Sequence, residues 1–177
     1  GPPLHAMSAP PPGPRRSVSC LVRAAVEGVD VGNLKVLDLS FNGLETMDGD
    51  VLGESTGTTA NAPHAVLGDL VSLQDLRMND NKLKTLASPT FVVLWDKLVE
   101  LRVQNNLIDS LAGVEKFRKL TSLRLDGNPL GNALLRSQPF LEALPLRLTR
   151  LNISRCGLTC LSSLASSAAA KRIEELR

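Results

Sequence analysis

The chain has 177 residues, 43% of them hydrophobic, enough for one domain with a substantial core. Four Phe, one Trp and no Tyr make the packing aliphatic and remove the stacking platforms on which single-stranded nucleic acid is held. A net charge of +2 argues against nucleic-acid binding driven by bulk electrostatics, and no run reaches the roughly 18 consecutive apolar residues of a membrane span.

Taken in order, residues 1–6 (GPPLHA) read as a tag remnant ahead of Met7, which would place His5 outside the biology. Residues 7–16 form a Pro-rich arm expected to be disordered or polyproline II. Residues 17–33 carry Val18, Val22, Val26, Val29 and Val31, β-branched residues suited to an N-terminal cap or a degenerate repeat.

From Leu34 onward one pattern recurs, LxxLxLxxNxL. It fits LKVLDLSFNGL from Leu34, LQDLRMNDNKL from Leu73, LVELRVQNNLI from Leu98, LTSLRLDGNPL from Leu120 and LTRLNISRCGL from Leu148, where Cys156 stands in for Asn. Within each unit, LxL puts two side chains on one face of a short strand, and the flanking leucines complete a wedge of core. The buried Asn side chains 42, 81, 106 and 128 need partners, and neighbouring loop backbone can supply them. Each unit buries its apolar face only against the next, so five in series predict a solenoid.

The starts are 39, 25, 22 and 28 residues apart. The 39-residue interval holds an inserted loop at about 46–72 that is rich in Gly, Ser, Thr and Asn and cannot bury a core. Its MDGDVLGE lacks the third ligand and the glycine of a calcium loop, and His64 has no metal-ligating neighbour at a suitable spacing. The 25-residue unit has room for two helical turns beside Trp95, expected to pack inward or cover the outer layer; the 22-residue unit has room for one. Beyond the fifth repeat an Ala-rich stretch favours helix, and IEELR from Ile173 reads as a partial sixth repeat. A capping helix leading to a coiled coil is the competing reading, and either suggests a fragment of a longer protein.

At these residues the chain resembles leucine-rich repeat proteins of the short, roughly 22-residue intracellular class, such as a phosphatase regulatory subunit, axonemal dynein light chains and a spliceosomal snRNP protein. The stretch from Gly127 to Leu151 is loosely similar to the C-terminal cap of that class, except that the chain continues past it. The resemblance implies an α/β fold: a right-handed leucine-rich repeat solenoid with a concave parallel β-sheet and short helices on the convex side. It also implies a non-catalytic protein–protein interaction module, acting as an adaptor in a cytoskeletal, ciliary or centrosomal assembly. A regulatory or targeting subunit of a phosphatase or other enzyme, or a scaffold in an RNA-processing particle, is the alternative.

In parallel coils equivalent residues stack into columns about 4.8 Å apart. The column between the two leucines of LxL reads Asp38, Arg77, Arg102, Arg124 and Asn152; two residues earlier stand Val36, Asp75, Glu100, Ser122 and Arg150, and two later Ser40, Asn79, Gln104, Asp126 and Ser154. Arg77, Arg102 and Arg124 repel one another at that spacing and need counter-charge, which Asp75, Glu100 and Asp126 supply in part. One reading is a solvated ionic lattice. The other is a docking groove in which these arginines fork onto a partner's acidic or phosphorylated groups, with Asn79, Gln104, Phe41, Asp80 and Asn105 as neighbouring contacts.

No nucleophile–base pair, paired carboxylates in a pocket or phosphate-cradling Gly loop is visible, so catalysis and a cofactor are not expected. Cys20, Cys156 and Cys160 read as reduced thiols rather than a disulfide framework, which with no apolar signal segment implies an intracellular protein. The chain is further expected to be monomeric, with no metal and no direct nucleic-acid or membrane contact.

Overall fold

The LxL triplets become strands of a single sheet. A computed structural model describes residues 30–46, 69–131, 144–158 and 171–177. Six short parallel strands follow one another in chain order: β1 (Val36–Asp38), β2 (Asp75–Arg77), β3 (Glu100–Arg102), β4 (Ser122–Arg124), β5 (Arg150–Asn152) and β6 (Glu175–Leu176). Each pairs only with its neighbours in sequence, the topology of a solenoid. Expected features at residues 1–29, 47–68, 132–143 and 159–170, including most of the N-terminal cap and the insertion, Cys20, Cys160, His5 and His64, lie outside the described residues.

The register is the one that aligning the repeats produces. Leu37, Leu76, Leu101, Leu123 and Leu151 stand side by side, and Leu151 pairs with Leu176. Beyond each triplet the ladder continues, with the N–H of Leu39, Met78, Val103, Leu125 and Ile153 donating to the carbonyls of Arg77, Arg102, Arg124, Asn152 and Arg177 at 2.7–2.9 Å. Because strand side chains alternate, every second residue enters the core, and Leu76, Met78, Leu101, Val103, Leu123 and Leu125 are almost wholly buried. In the first described coil Leu34 and Leu37 are only partly buried.

The two fully described connections, β2 to β3 and β3 to β4, carry short 3₁₀ helices, Pro89–Leu94 and Val114–Lys116, two turns and one at three residues per turn. The first buries Phe91 and Leu94, and Val114 of the second is also buried. Phe91 meets Phe117 edge to face, with ring centroids 5.4 Å apart and planes at 76°, a favoured quadrupolar arrangement. Trp95 is partly buried against this core and carries the Lys116 ammonium 4.8 Å from its ring centroid. Among the described residues no helix is long and apolar enough to cross a membrane.

Buried asparagines tie each coil to the one before it. Asn81 Oδ1 accepts from the N–H of Asn42 and Leu44, Asn106 Oδ1 from Leu83, and Asn128 Oδ1 from Ile108, all at 2.9–3.0 Å. Their Nδ2 groups donate both to their own coil and to the previous one: Asn81 to Met78 O and Leu39 O, Asn106 to Val103 O and Met78 O, Asn128 to Leu125 O and Val103 O. Cys156 keeps one of these bonds, its thiol donating to Leu125 O at 3.3 Å. It offers no amide oxygen, and the Leu130 N–H, which by register would use one, donates to Asn128 O instead.

Candidate functional site: the polar face of the sheet

The residues between the core positions stand together on the other face of the sheet. Pairing sets Asp38 beside Arg77, Arg77 beside Arg102, Arg102 beside Arg124, and Arg124 beside Asn152. The neighbouring column is Val36, Asp75, Glu100, Ser122, Arg150 and Glu175.

The two halves of this face handle charge differently. On β2 and β3 the arginines are engaged within the chain: Arg77 Nη2 and Nε lie 2.8 and 3.1 Å from Asp75 Oδ2, and Arg102 Nε lies 3.0 Å from Glu100 Oε1. Arg102 Nη2 also stands 3.9 Å from Asp75 Oδ2, so the pairs join into a short lattice. The bond to Asp75, followed by the charge of that carboxylate, raises the Arg77 pKa above its ordinary value. Asp38 is held below the usual carboxylate value by Ser40, through its side chain and then its backbone N–H at 3.0 Å, with Arg77 and Arg102 adding to the effect.

On β4 and β5 the pairing is looser. Arg124 Nε is 3.8 Å from Asp126 Oδ1, beyond hydrogen-bond distance, and its side chain is 42% exposed. Arg150 is exposed and has no ion pair to an acid among the described residues. Arg177 Nε lies 2.7 Å from Glu175 Oε1. Across the face and its loop edge, β1–β3 carry Asp38, Asp75, Asp80 and Glu100 against Arg77 and Arg102, whereas β4–β6 carry Arg124, Arg150, Arg155 and Arg177 against Asp126 and Glu175. The surface therefore runs from acidic to basic along the solenoid.

At the strand ends, Ser40 Oγ donates to Asn79 Oδ1, Asn79 Nδ2 to Asp80 Oδ2, and Asn105 Nδ2 to Asp80 Oδ1, at 2.7–2.8 Å. Asp126 receives Arg155 Nη2 at 3.3 Å. Phe41, Asp80, Asn105 and Arg155 occupy one equivalent loop position with φ of 51–61°, and Gly127 holds the same position with φ 75°. A left-handed backbone is costly for Phe and Arg, so the coil geometry imposes it. At Gly127 an added Cβ would meet Asn105 Oδ1, the outer end of a side chain. Phe41 projects outward, 77% exposed.

Arg77, Arg102, Arg124, Asp75, Glu100, Asn79, Gln104 and Asp126 thus share one face, with Phe41, Asp80 and Asn105 along its loop edge. Sequence reading passed over Arg155. The signal was available, since Arg155 falls at the repeat position of Asp80 and Asn105, but its partner Asp126 lies in the preceding coil. Among the described residues no group of three or more His, Cys, Asp or Glu is placed to hold a metal ion.

The leucine-rich repeat family model matches residues 33–54. Comparison with curated proteins finds no match. Among solved structures, the chain is similar to an internalin (inlF) from Listeria monocytogenes str. 4b F2365, with 17% identity and a TM-score of 0.44 over 91% of this chain and 50% of the internalin chain. The chain thus spans about half the length of that structure. The five aligned repeats, their amide ladder and the family match identify the fold.

Proposed function

We propose that this chain, a leucine-rich repeat protein, is a non-catalytic interaction module that binds a partner polypeptide on the polar face of its sheet. The observation that carries this reading is the unbroken six-strand polar surface, on which Arg77, Arg102 and Arg124 stand side by side in register. Guanidinium groups held in register offer forked donors to a protein partner laid across the sheet. An adaptor role in a cytoskeletal, ciliary or centrosomal assembly is the setting that the resemblance to the short intracellular class implies.

Capture from lysate with three immobilised proteins tests the surface: the parent, an Arg77→Glu/Arg102→Glu variant on the polar face, and a Lys84→Glu/Lys119→Glu variant away from it. Circular dichroism checks that all three fold alike. The reading expects the same partner on the parent and the control and its loss from the polar-face variant. Retention on all three would move the contact elsewhere.

A further inference from the structure

The three strands β4–β6 enclose a shallow depression of about 170 Å³ lined by Arg124, Arg150 and Arg177 with Ser122, Asn152 and the acids Glu100 and Glu175. We propose that this depression seats a carboxylate side chain from an acidic segment of the partner, so that the face has a specific anion-reading end and is not uniformly adhesive. The inference rests on the interaction-module reading above and adds which end of the face is selective, and for what.

Three observations converge on it. Arg77 and Arg102 already have carboxylates at hydrogen-bond distance, so their guanidinium groups offer a newcomer little, whereas Arg124 and Arg150 do not. They stand on adjacent strands in adjoining columns and line the depression together with the small buried Ser122. Asp126 is shared between two arginines, its Oδ2 receiving Arg155 Nη2 at 3.3 Å while its Oδ1 stands 3.8 Å from Arg124 Nε, beyond hydrogen-bond distance.

The neighbouring column bears on the rest of the occupant. A segment that places a carboxylate between Arg124 and Arg150 runs beside Gln104, Asp126 and Ser154, a polar edge that suits a peptide backbone. Glu and Asp side chains supply the planar, singly charged group that guanidinium forks match. A phosphate dianion suits the site less, because Glu100 and Glu175 line the same depression and repel each added negative charge.

The test is fluorescence anisotropy with a fluorescein-labelled peptide of alternating Ala and Glu, a twin with Gln for Glu, and a twin with phosphoserine for Glu. The parent is expected to bind the Glu peptide, more weakly as salt rises, and to ignore the Gln twin. Changing Arg124 and Arg150 together to Ser should lower affinity for the Glu peptide about tenfold or more, whereas Lys84→Ser/Lys119→Ser, away from the polar face, should change it by less than about threefold. Equal losses in the two variants, binding of the Gln twin, tighter binding of the phosphoserine twin, or no binding by the folded parent would each overturn the proposal. If the acidic peptide fails while the Arg77→Glu/Arg102→Glu capture test still loses its partner, only this inference falls. If capture is unaffected as well, the interaction-face reading falls with it.

Discussion

Replacing Asn106 with Ala removes the side-chain amide from the middle of the ladder, and the damage can be worked bond by bond. Asn106 Oδ1 is the acceptor for the Leu83 N–H, at 3.0 Å, so that buried donor loses its partner, a penalty of about 1–3 kcal/mol. The bonds from Nδ2 to Met78 O (2.9 Å) and Val103 O (3.1 Å) are lost too. Those carbonyls still accept from Asn81 and Asn128, so each loss costs only the net value of a hydrogen bond, about 0.5–1.5 kcal/mol. Together these come to about 2–6 kcal/mol, a large share of the roughly 5–15 kcal/mol that holds a domain together. Urea titration followed by far-UV circular dichroism, with an unchanged slope, reads the loss directly. Asn106→Cys should fall between parent and Ala, because a thiol there can repeat the Sγ-to-carbonyl bond that Cys156 makes. A loss below about 1 kcal/mol for Ala, or a Cys variant no better than Ala, would refute the ladder as the element that joins the coils.

Other expectations follow from single contacts. Gly131→Ala drives a Cβ into the carbonyl of Gly157, backbone that the neighbouring coil holds fixed through the 2.8 Å bond from Gly131 N to Cys156 O; it should cost about 1–3 kcal/mol in the same titration, and a neutral result would refute the close approach. Phe91→Ala empties a fully buried site and removes the edge-to-face contact with Phe117, for about 3–5 kcal/mol by the same measurement. Burial raises the Cys156 thiol above its ordinary 9.0. The unfolded chain therefore releases this proton at a lower pH than the folded one, and stability declines as pH climbs through 9.0, levelling only above the raised folded value. Urea midpoints measured over about pH 8–10 should fall more steeply for the parent than for Cys156→Ala, and equal slopes would refute the burial argument.

The core was legible because its signal is periodic and redundant. Once Leu34, Leu73, Leu98, Leu120 and Leu148 are aligned, the pairing of Asp75 with Glu100 and of Arg102 with Arg124 follows by counting. The partners of the asparagines were legible in kind, since a buried amide must find backbone groups, but their direction was not: only the fold shows that Asn81, Asn106 and Asn128 reach back to the preceding coil. The charge pattern was half legible. The columns place Asp75, Glu100 and Asp126 near the arginines, yet which carboxylate engages which guanidinium depends on rotamers and strand twist. As a result Arg77 and Arg102 lie in a lattice while Arg124 does not, and Asp126 turns to Arg155, a residue that sits outside the strand columns. The left-handed backbone at Phe41 and Arg155 left no trace in their residue types; only Gly127, with Asp80 and Asn105, hinted at it.

The amide ladder stops one coil early, and the interruption bears on cooperativity. The first four coils are joined by amides that both donate and accept, whereas among the described residues the fourth and fifth have the Cys156 thiol in that place, so native-state hydrogen exchange should find the fifth coil opening at lower free energy than the third. Arg124 and Arg150 stand on opposite sides of that weaker joint. An anion gripped by both would stitch it closed, so that occupancy of the face and integrity of the last coils become a single coupled equilibrium.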